Sequence, residues 1–430
     1  MLEEYEKYIV GDKAIIPYGI KRIQDDAFSD CKKITSAEIP NSVVAIGRGA
    51  FASCFGLTNI EIPNSVTKIE SMAFARCCGL KSIDIPDSVT IIENSAFIYC
   101  SGLTHILVSI KNMKYDSRSD CNAIIEKGTN KLIVGCAKTI IPNSVAEIGE
   151  SAFDSCKGLT SIEIPNSVTE IGECAFQRCS GLTSVEIPNS VTKIGDYAFS
   201  GCNLTNIEIP NSVTEIGDYA FFDCKSLIVG IPNSVEKIGK SPFGSCSELM
   251  SLVVSPGNKR YDSRSDCNAI IEKETNKLIA GCAKTIIPDS VTEIGESAFN
   301  RCKGLTNIEI PNSVIIIGES AFACTELTSI EIPNSVTIIG EYAFDDCAEL
   351  VSIKIPNSVT TIGICAFWRN YKLKDLFFKF EDPCKTPLTA RVFWGTSVEN
   401  ITLHVPIGTG YAYRHHPFFS KFKEVKADIK

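Results

Sequence analysis

The residues that first invite a chemical reading are twenty cysteines in a chain of 430. Eleven stand three places after a recurring phenylalanine: Cys31, Cys54, Cys77, Cys100, Cys156, Cys179, Cys202, Cys224, Cys246, Cys302 and Cys347. Cys324 comes one place early in a shortened copy. Thiols in such a row can bridge, bind zinc or pack. Zinc needs paired ligands, and there is no C-x-x-C pair and no neighbouring histidine. Stacked neighbours about 5 Å apart would suit a disulfide by distance, but their side chains would run parallel. A buried free cysteine behaves as a small hydrophobe, so packing is the expected role. Two pairs stand apart. Cys121 and Cys136 are symmetric about Gly128–Thr129, and Cys267 and Cys282 about Glu274–Thr275, so each pair is a candidate cross-strand disulfide.

Carboxylates form a second row. Glu38, Glu61, Asp84, Glu163, Glu186, Glu208, Glu309 and Glu331 each stand between two apolar residues, and the row turns basic at Lys354. Like charges in register repel, though solvent screens most of the cost. Such a stripe is either a solvated face or a surface for a basic or cation-bridged partner. Asp116, Asp120 and Asn122 alternate like the start of a calcium loop, but Arg118 takes the third ligand's place and no acid follows at the twelfth. The four histidines, His105, His404, His415 and His416, belong to no zinc-protease motif. Neither a nucleophile elbow nor a phosphate loop occurs, so no catalytic residue, metal ligand or cofactor site is expected.

These rows exist because the chain repeats. The prolines closing an apolar triplet are Pro17, Pro40, Pro63, Pro86, Pro142, Pro165, Pro188, Pro210, Pro232, Pro288, Pro311, Pro333 and Pro356, mostly 22 or 23 residues apart, with two steps of 56. A fixed period in the twenties means a solenoid with one coil per repeat. In the copy ending at Cys179, Ile162 and Ile164 alternate with Ser161 and Glu163, which predicts a short strand with its isoleucines inward. Pro165 stops it, Asn166 and Ser167 turn, and Val168 and Ile171 return inward. Gly172 permits a bend, and Ala175 and Phe176 are expected on a short helical or 3₁₀ turn.

The pattern L-x-x-I-x-I-P-x-S-V-x-x-I-x-x-x-A-F-x-x-C resembles the BspA-like class of bacterial and protist leucine-rich repeats, over about Ile15 to Leu373. The resemblance implies a right-handed leucine-rich-repeat solenoid with a parallel concave sheet. One departure is that Ser167 stands after the strand where commoner repeats place an Asn/Cys ladder, and the cysteine precedes the next strand.

Three segments are expected: an N-terminal cap over 1–14, the solenoid over 15–373, and a C-terminal cap over 374–430. YDSRSDCNAIIEK at Tyr115–Lys127 returns at Tyr261–Lys273, an offset of 146 that Pro142 and Pro288 share, so a block was duplicated. Two apolar runs around a turn predict a β-hairpin in each insertion, about 108–140 and 254–286, projecting from the sheet or extending it. The segment Val392–Lys426 is expected to supply a last strand and an aromatic helix, with Tyr411, Tyr413, Phe418, Phe419 and Phe422 as cap core.

Composition narrows function. Net charge is −9 with no basic block before the C-terminus, so nucleic acid and anionic membrane are poor partners. No apolar run reaches the length of a membrane span. The start MLEEYEKYIVGDKAIIP lacks a signal peptide's basic beginning and apolar core, so the protein stays inside the cell or a leader has been removed. The resemblance implies a non-enzymatic, adhesin-like module at the cell surface or secreted, taking a host or extracellular protein or glycan. An intracellular scaffold is the alternative, which abundant cysteine favours. An enzyme would need a pocket at a hairpin or in the cap. The candidate partner-binding residues are Glu61, Asp84, Glu163, Glu186, Glu208, Glu309 and Glu331.

Overall fold

A computed structural model describes residues 5–224, 228–249 and 251–430. Residues 1–4 of the expected N-terminal cap lie outside them. The chain divides into two compact units, Met1–Phe221 and Phe222–Lys430. Each is a solenoid with very little helix.

In the first unit every coil crosses three faces. The first carries the strand row foreseen from the isoleucine alternation. A hairpin of Ile9–Val10 and Lys13–Ile15 opens it, and Ser36–Glu38 and Asn59–Ile60 add in parallel. Ser82–Ile85 and His105–Val108 pair further along. The copy used above to predict a strand departs from this: residues 161–164 lie outside any strand. Ile164 is still buried and Glu163 exposed, so the alternation holds while the coils are joined elsewhere.

Elsewhere means a second parallel row, made where Val168 and Ile171 return inward. Arg22–Ile23, Ala45–Ile46, Lys68–Ile69 and Ile91–Ile92 form one ladder, and Glu147–Ile148, Glu170–Ile171, Lys193–Ile194 and Glu215–Ile216 a second. Its outward residues alternate in sign in places, as in the Lys193–Glu170 pair at 3.0 Å, which lessens like-charge repulsion.

The third face corrects an expectation. Ala175 and Phe176 sit not on a helical turn but on consecutive tight turns, flanked by the left-handed residues Cys174 (φ 54°) and Arg178 (φ 56°). Left-handed residues break a helix, and the amides bond the next coil instead. Phe153 N donates to Ala175 O and Phe176 N to Ala198 O, both at 2.8 Å. The phenylalanine rings stack at 5.0–5.2 Å from Phe153 through Phe199 and are fully buried.

Each insertion extends the second row rather than projecting. Tyr115–Asp116, Ile124–Glu126 and Lys131–Val134 form an antiparallel meander, and its last strand joins Glu147–Ile148 in parallel. In the second unit Tyr261–Asp262, Ala269–Glu272 and Lys277–Gly281 do the same against Glu293–Ile294. The pairings Cys121–Cys136 and Cys267–Cys282 are not formed; all four are free, buried thiols. Their sulphurs face backbone carbonyls instead: Cys121 Sγ that of Ala123, Cys136 Sγ that of Asn122.

The C-terminal segment contains the expected strand, Thr402–Pro406, and a short helix, Gly410–His415. An unforeseen strand, Glu424–Ile429, adds in parallel after them. Tyr413, Phe419 and Phe422 are core, and the Tyr413 hydroxyl donates to Phe380 O at 2.8 Å. Tyr411 is exposed and stacks on His415 instead, so it is not part of that core.

Candidate functional site

The outward residues of the first row make a repeated surface in each unit. All seven candidate carboxylates, Glu61, Asp84, Glu163, Glu186, Glu208, Glu309 and Glu331, are exposed. Alternation puts them there, because each flanking apolar residue turns inward. Register brings Glu38 beside Glu61, since Ala37 pairs with Ile60.

The row is not uniformly acidic. In the first unit Asp84 pairs with Leu107 rather than another acid, and Ile140 occupies the outward place before Glu163. Leu107 is 54% exposed and Ile140 74%. In the second unit Val253 and Ile286 repeat these apolar positions at the same offset of 146. Glu331 then neighbours Lys354, which is followed by Phe377, His404 and Lys426. Repetition in the sequence drew attention to the acids; the apolar places interrupt the I-x-I pattern and so were missed.

Partners differ along the row. Lys13 pairs with Glu38, and Lys354 with Glu331 at 2.9 Å. Among the described residues Glu163, Glu186 and Glu208 have no ion pair. Shallow grooves run beside them. One is lined by Asn143, Glu163, Asn166 and Glu186, another by Asn307, Glu309, Asn312 and Glu331. Asn143, Asn166 and Asn312 come from the constant I-P-N-S turn and Asn307 precedes the isoleucine of its coil, so amides and carboxylates share a polar, water-facing track.

The other candidates are structural. Asp116 accepts from Arg118 Nε at 2.8 Å, and Asn122 accepts the Ile106 amide while its Nδ2 donates to Thr104 O. The calcium-like spacing therefore serves the meander. Both ring nitrogens of His404 face carboxylates, Asp428 at 2.9 Å and Asp375 at 3.2 Å. His415 Nδ1 lies 2.8 Å from Tyr411 O, and His416 Nδ1 accepts the Phe418 amide. No three His, Cys, Asp or Glu among the described residues group to hold a metal. No helix among them is long and apolar enough to cross a membrane.

The cysteine row proves to be a ladder. Cys179 Sγ donates to Phe153 O at 3.0 Å, Cys202 to Phe176 O and Cys54 to Phe28 O likewise. Burial pushes the Cys202 and Cys347 thiols up to about 12.

Comparisons with known proteins agree with this architecture. A model of the "BspA type Leucine rich repeat region (6 copies)" matches residues 11–125, 134–250, 169–275 and 269–396. A leucine-rich repeat protein from Eubacterium ventriosum is 24% identical with a TM-score of 0.54, covering 67% of this chain and 82% of its own. One from Bacteroides ovatus is 28% identical (TM-score 0.41; 89% and 82% covered). A leucine rich cell surface protein from Faecalibacterium prausnitzii is 26% identical (TM-score 0.45; 85% and 87% covered). No curated protein matches the chain. With family matches spanning most of its length and coils that carry the family's strand, turn and thiol rows, this chain belongs to the BspA-type leucine-rich repeat family.

Proposed function

We propose that the protein is a non-enzymatic binding module acting at the cell surface or after secretion, and that its outward strand row recognises a basic protein segment or a cation-bridged glycan. The observation that carries this is the run Glu163, Glu186 and Glu208, exposed and without ion pairs among the described residues, with Asn143 and Asn166 alongside. Coil spacing holds such carboxylates in a fixed row, so little ordering is needed on binding. The surface location rests on the family resemblance.

Free cysteine favours the alternative, an intracellular scaffold, less than a count implies. Most thiols are buried, in the ladder or in the insertions, with too little thiolate to react, whatever the compartment. Cys384, which is exposed, is the one that speaks for a reducing interior.

The test is a binding screen against matrix proteins and glycans, repeated with Glu163, Glu186 and Glu208 all changed to Gln. Binding should weaken at least ten-fold in the variant and fall with added salt. Binding indifferent to both would overturn the proposed surface. Protease shaving of intact cells decides location: a chain that resists shaving and fractionates with cytosol leaves the scaffold.

A further inference from the structure

The phenylalanine stack of the first unit breaks at the first insertion, and the break holds a buried acid. Rings stack from Phe28 through Phe97 and again from Phe153. Between them Gly135 takes the place of a phenylalanine. Its amide donates to Ala152 O at 2.8 Å, and a Cβ there would lie 2.2 Å from the Phe153 ring. A crevice of about 60 Å³ remains, lined by Asn94, Phe97 and Ile98 on one coil, Val134 on the inserted strand, and Glu150 and Asp154 on the next coil.

Asp154 stands in a row whose other members in this unit include Ser29, Ala52, Ala75, Ile98 and Gln177. It is 6% exposed. Oδ1 accepts from Ser155 Oγ at 2.8 Å, and Oδ2 has no partner. An ionised carboxylate so placed forgoes hydration without replacement.

The duplicated block supplies a control within the same chain. At the offset of 146, Gly281 repeats Gly135, with its amide on Ala298 O, but Asn300 replaces Asp154. There Ser245 N donates to Asn300 O at 3.0 Å and closes coil on coil. The equivalent Tyr99 amide makes no backbone bond to Asp154 O among the described residues. Among the described residues, side-chain hydrogen bonds from Asn94 and Tyr99 to the coils beyond the insertion are Asn94 Nδ2 to Glu150 at 2.9 Å and Arg178 to the Tyr99 hydroxyl at 3.0 Å.

We propose that the joint at the first insertion is a proton-operated latch, closed while Asp154 is neutral and opened along the crevice when Asp154 ionises and draws in water. Burial lifts this carboxyl to about 6, against the smaller opposing pulls of Ser155 and Arg178. A group held above its ordinary value stabilises the closed form fully below about pH 4, and that contribution is lost as pH rises through 6.

Glu93 and the neighbouring thiols do not account for such a window. Glu93 is held down by Lys68 and the Ser71 amide. Cys100, Cys156 and Cys174 are pushed up to about 12 by burial, and Cys179 also lies high. Lys131 is paired to Glu147 at 2.6 Å. Glu173 on the following coil is itself raised by burial, so the test must separate it from Asp154.

Hydrogen exchange of the full chain, corrected for intrinsic rates, is compared between segments 131–156 and 277–302 from pH 4 to pH 7. Protection in the first should fall by about a hundred-fold, the two pH units separating about 6 from the ordinary 3.8. The second should stay level. Asp154→Asn should abolish the fall and Asn300→Asp should create one in the second segment. Equal behaviour of the two segments, or a fall that survives Asp154→Asn, overturns the latch and would point to Glu173. Should Asp154→Asn not fold, a level second segment in Asn300→Asp overturns it instead.

Discussion

Three places after the phenylalanine, the thiols of Cys54, Cys77, Cys100, Cys179, Cys202 and Cys347 each donate to a phenylalanine carbonyl of the preceding coil. Where the cysteine is absent, another donor takes its carbonyl: Asn370 Nδ2 donates to Phe344 O at 2.9 Å, and Thr396 Oγ1 to Phe367 O at 2.6 Å. The position thus selects a compact donor as well as an apolar volume. Cys179→Ala should remove both and cost about 1–3 kcal/mol in denaturant unfolding, while Cys384→Ala at the surface should stay within about 0.5 kcal/mol. Burial also sets a pH limit. Thiols raised above their ordinary value stabilise the fold fully below about pH 8.5 and lose that contribution as pH climbs toward 12. The melting temperature should therefore drop steadily from pH 9 to pH 11, with buried Tyr115 and Tyr261 adding to the fall. A level profile over that range would show that the thiols are not held neutral by the fold.

At the scale of an element, the two insertions act as fastenings between coils. Asn112 is buried. Its Nδ2 donates to Pro86 O and Val89 O, and its Oδ1 accepts the amides of Lys114 and Tyr115. The Tyr115 hydroxyl then accepts the Ile92 amide at 2.9 Å. Asn258 and Tyr261 repeat this in the second unit. Four bonds worth about 1 kcal/mol each, in a site no water reaches, make Asn112→Ala a change of about 3 kcal/mol. Its mark should be lost exchange protection over Tyr115–Glu126 with Tyr261–Glu272 unaffected, and Asn258→Ala should give the reverse.

At the scale of the whole molecule, what was legible depended on how often a signal repeated and how long it ran. Ile162 and Ile164 declared an inward face because strand alternation has period two. The second row was hidden because Glu170–Ile171 is two residues long, too short to show a period. Tight turns around Phe176 read as a helical turn in sequence because left-handed serine, arginine and cysteine carry no glycine to announce them. The acidic stripe was legible as a column, but its interruption by Ile140 and Ile286 lay inside insertions that break the repeat. In the C-terminal segment the aromatics concealed a plainer signal, the alternation of Glu424, Val425 and Lys426 in a closing strand. That strand covers the edge of Thr402–Pro406, whose Leu403 and Val405 are fully buried. An uncovered parallel edge with inward apolar residues is a template for another chain. Ending the chain after Lys423 should leave the coils before it folded by circular dichroism yet drive concentration-dependent self-association in light scattering. A truncated chain that stays monomeric at high concentration would mean that the helix Gly410–His415 and the aromatics Tyr413 and Phe419 suffice to close the solenoid.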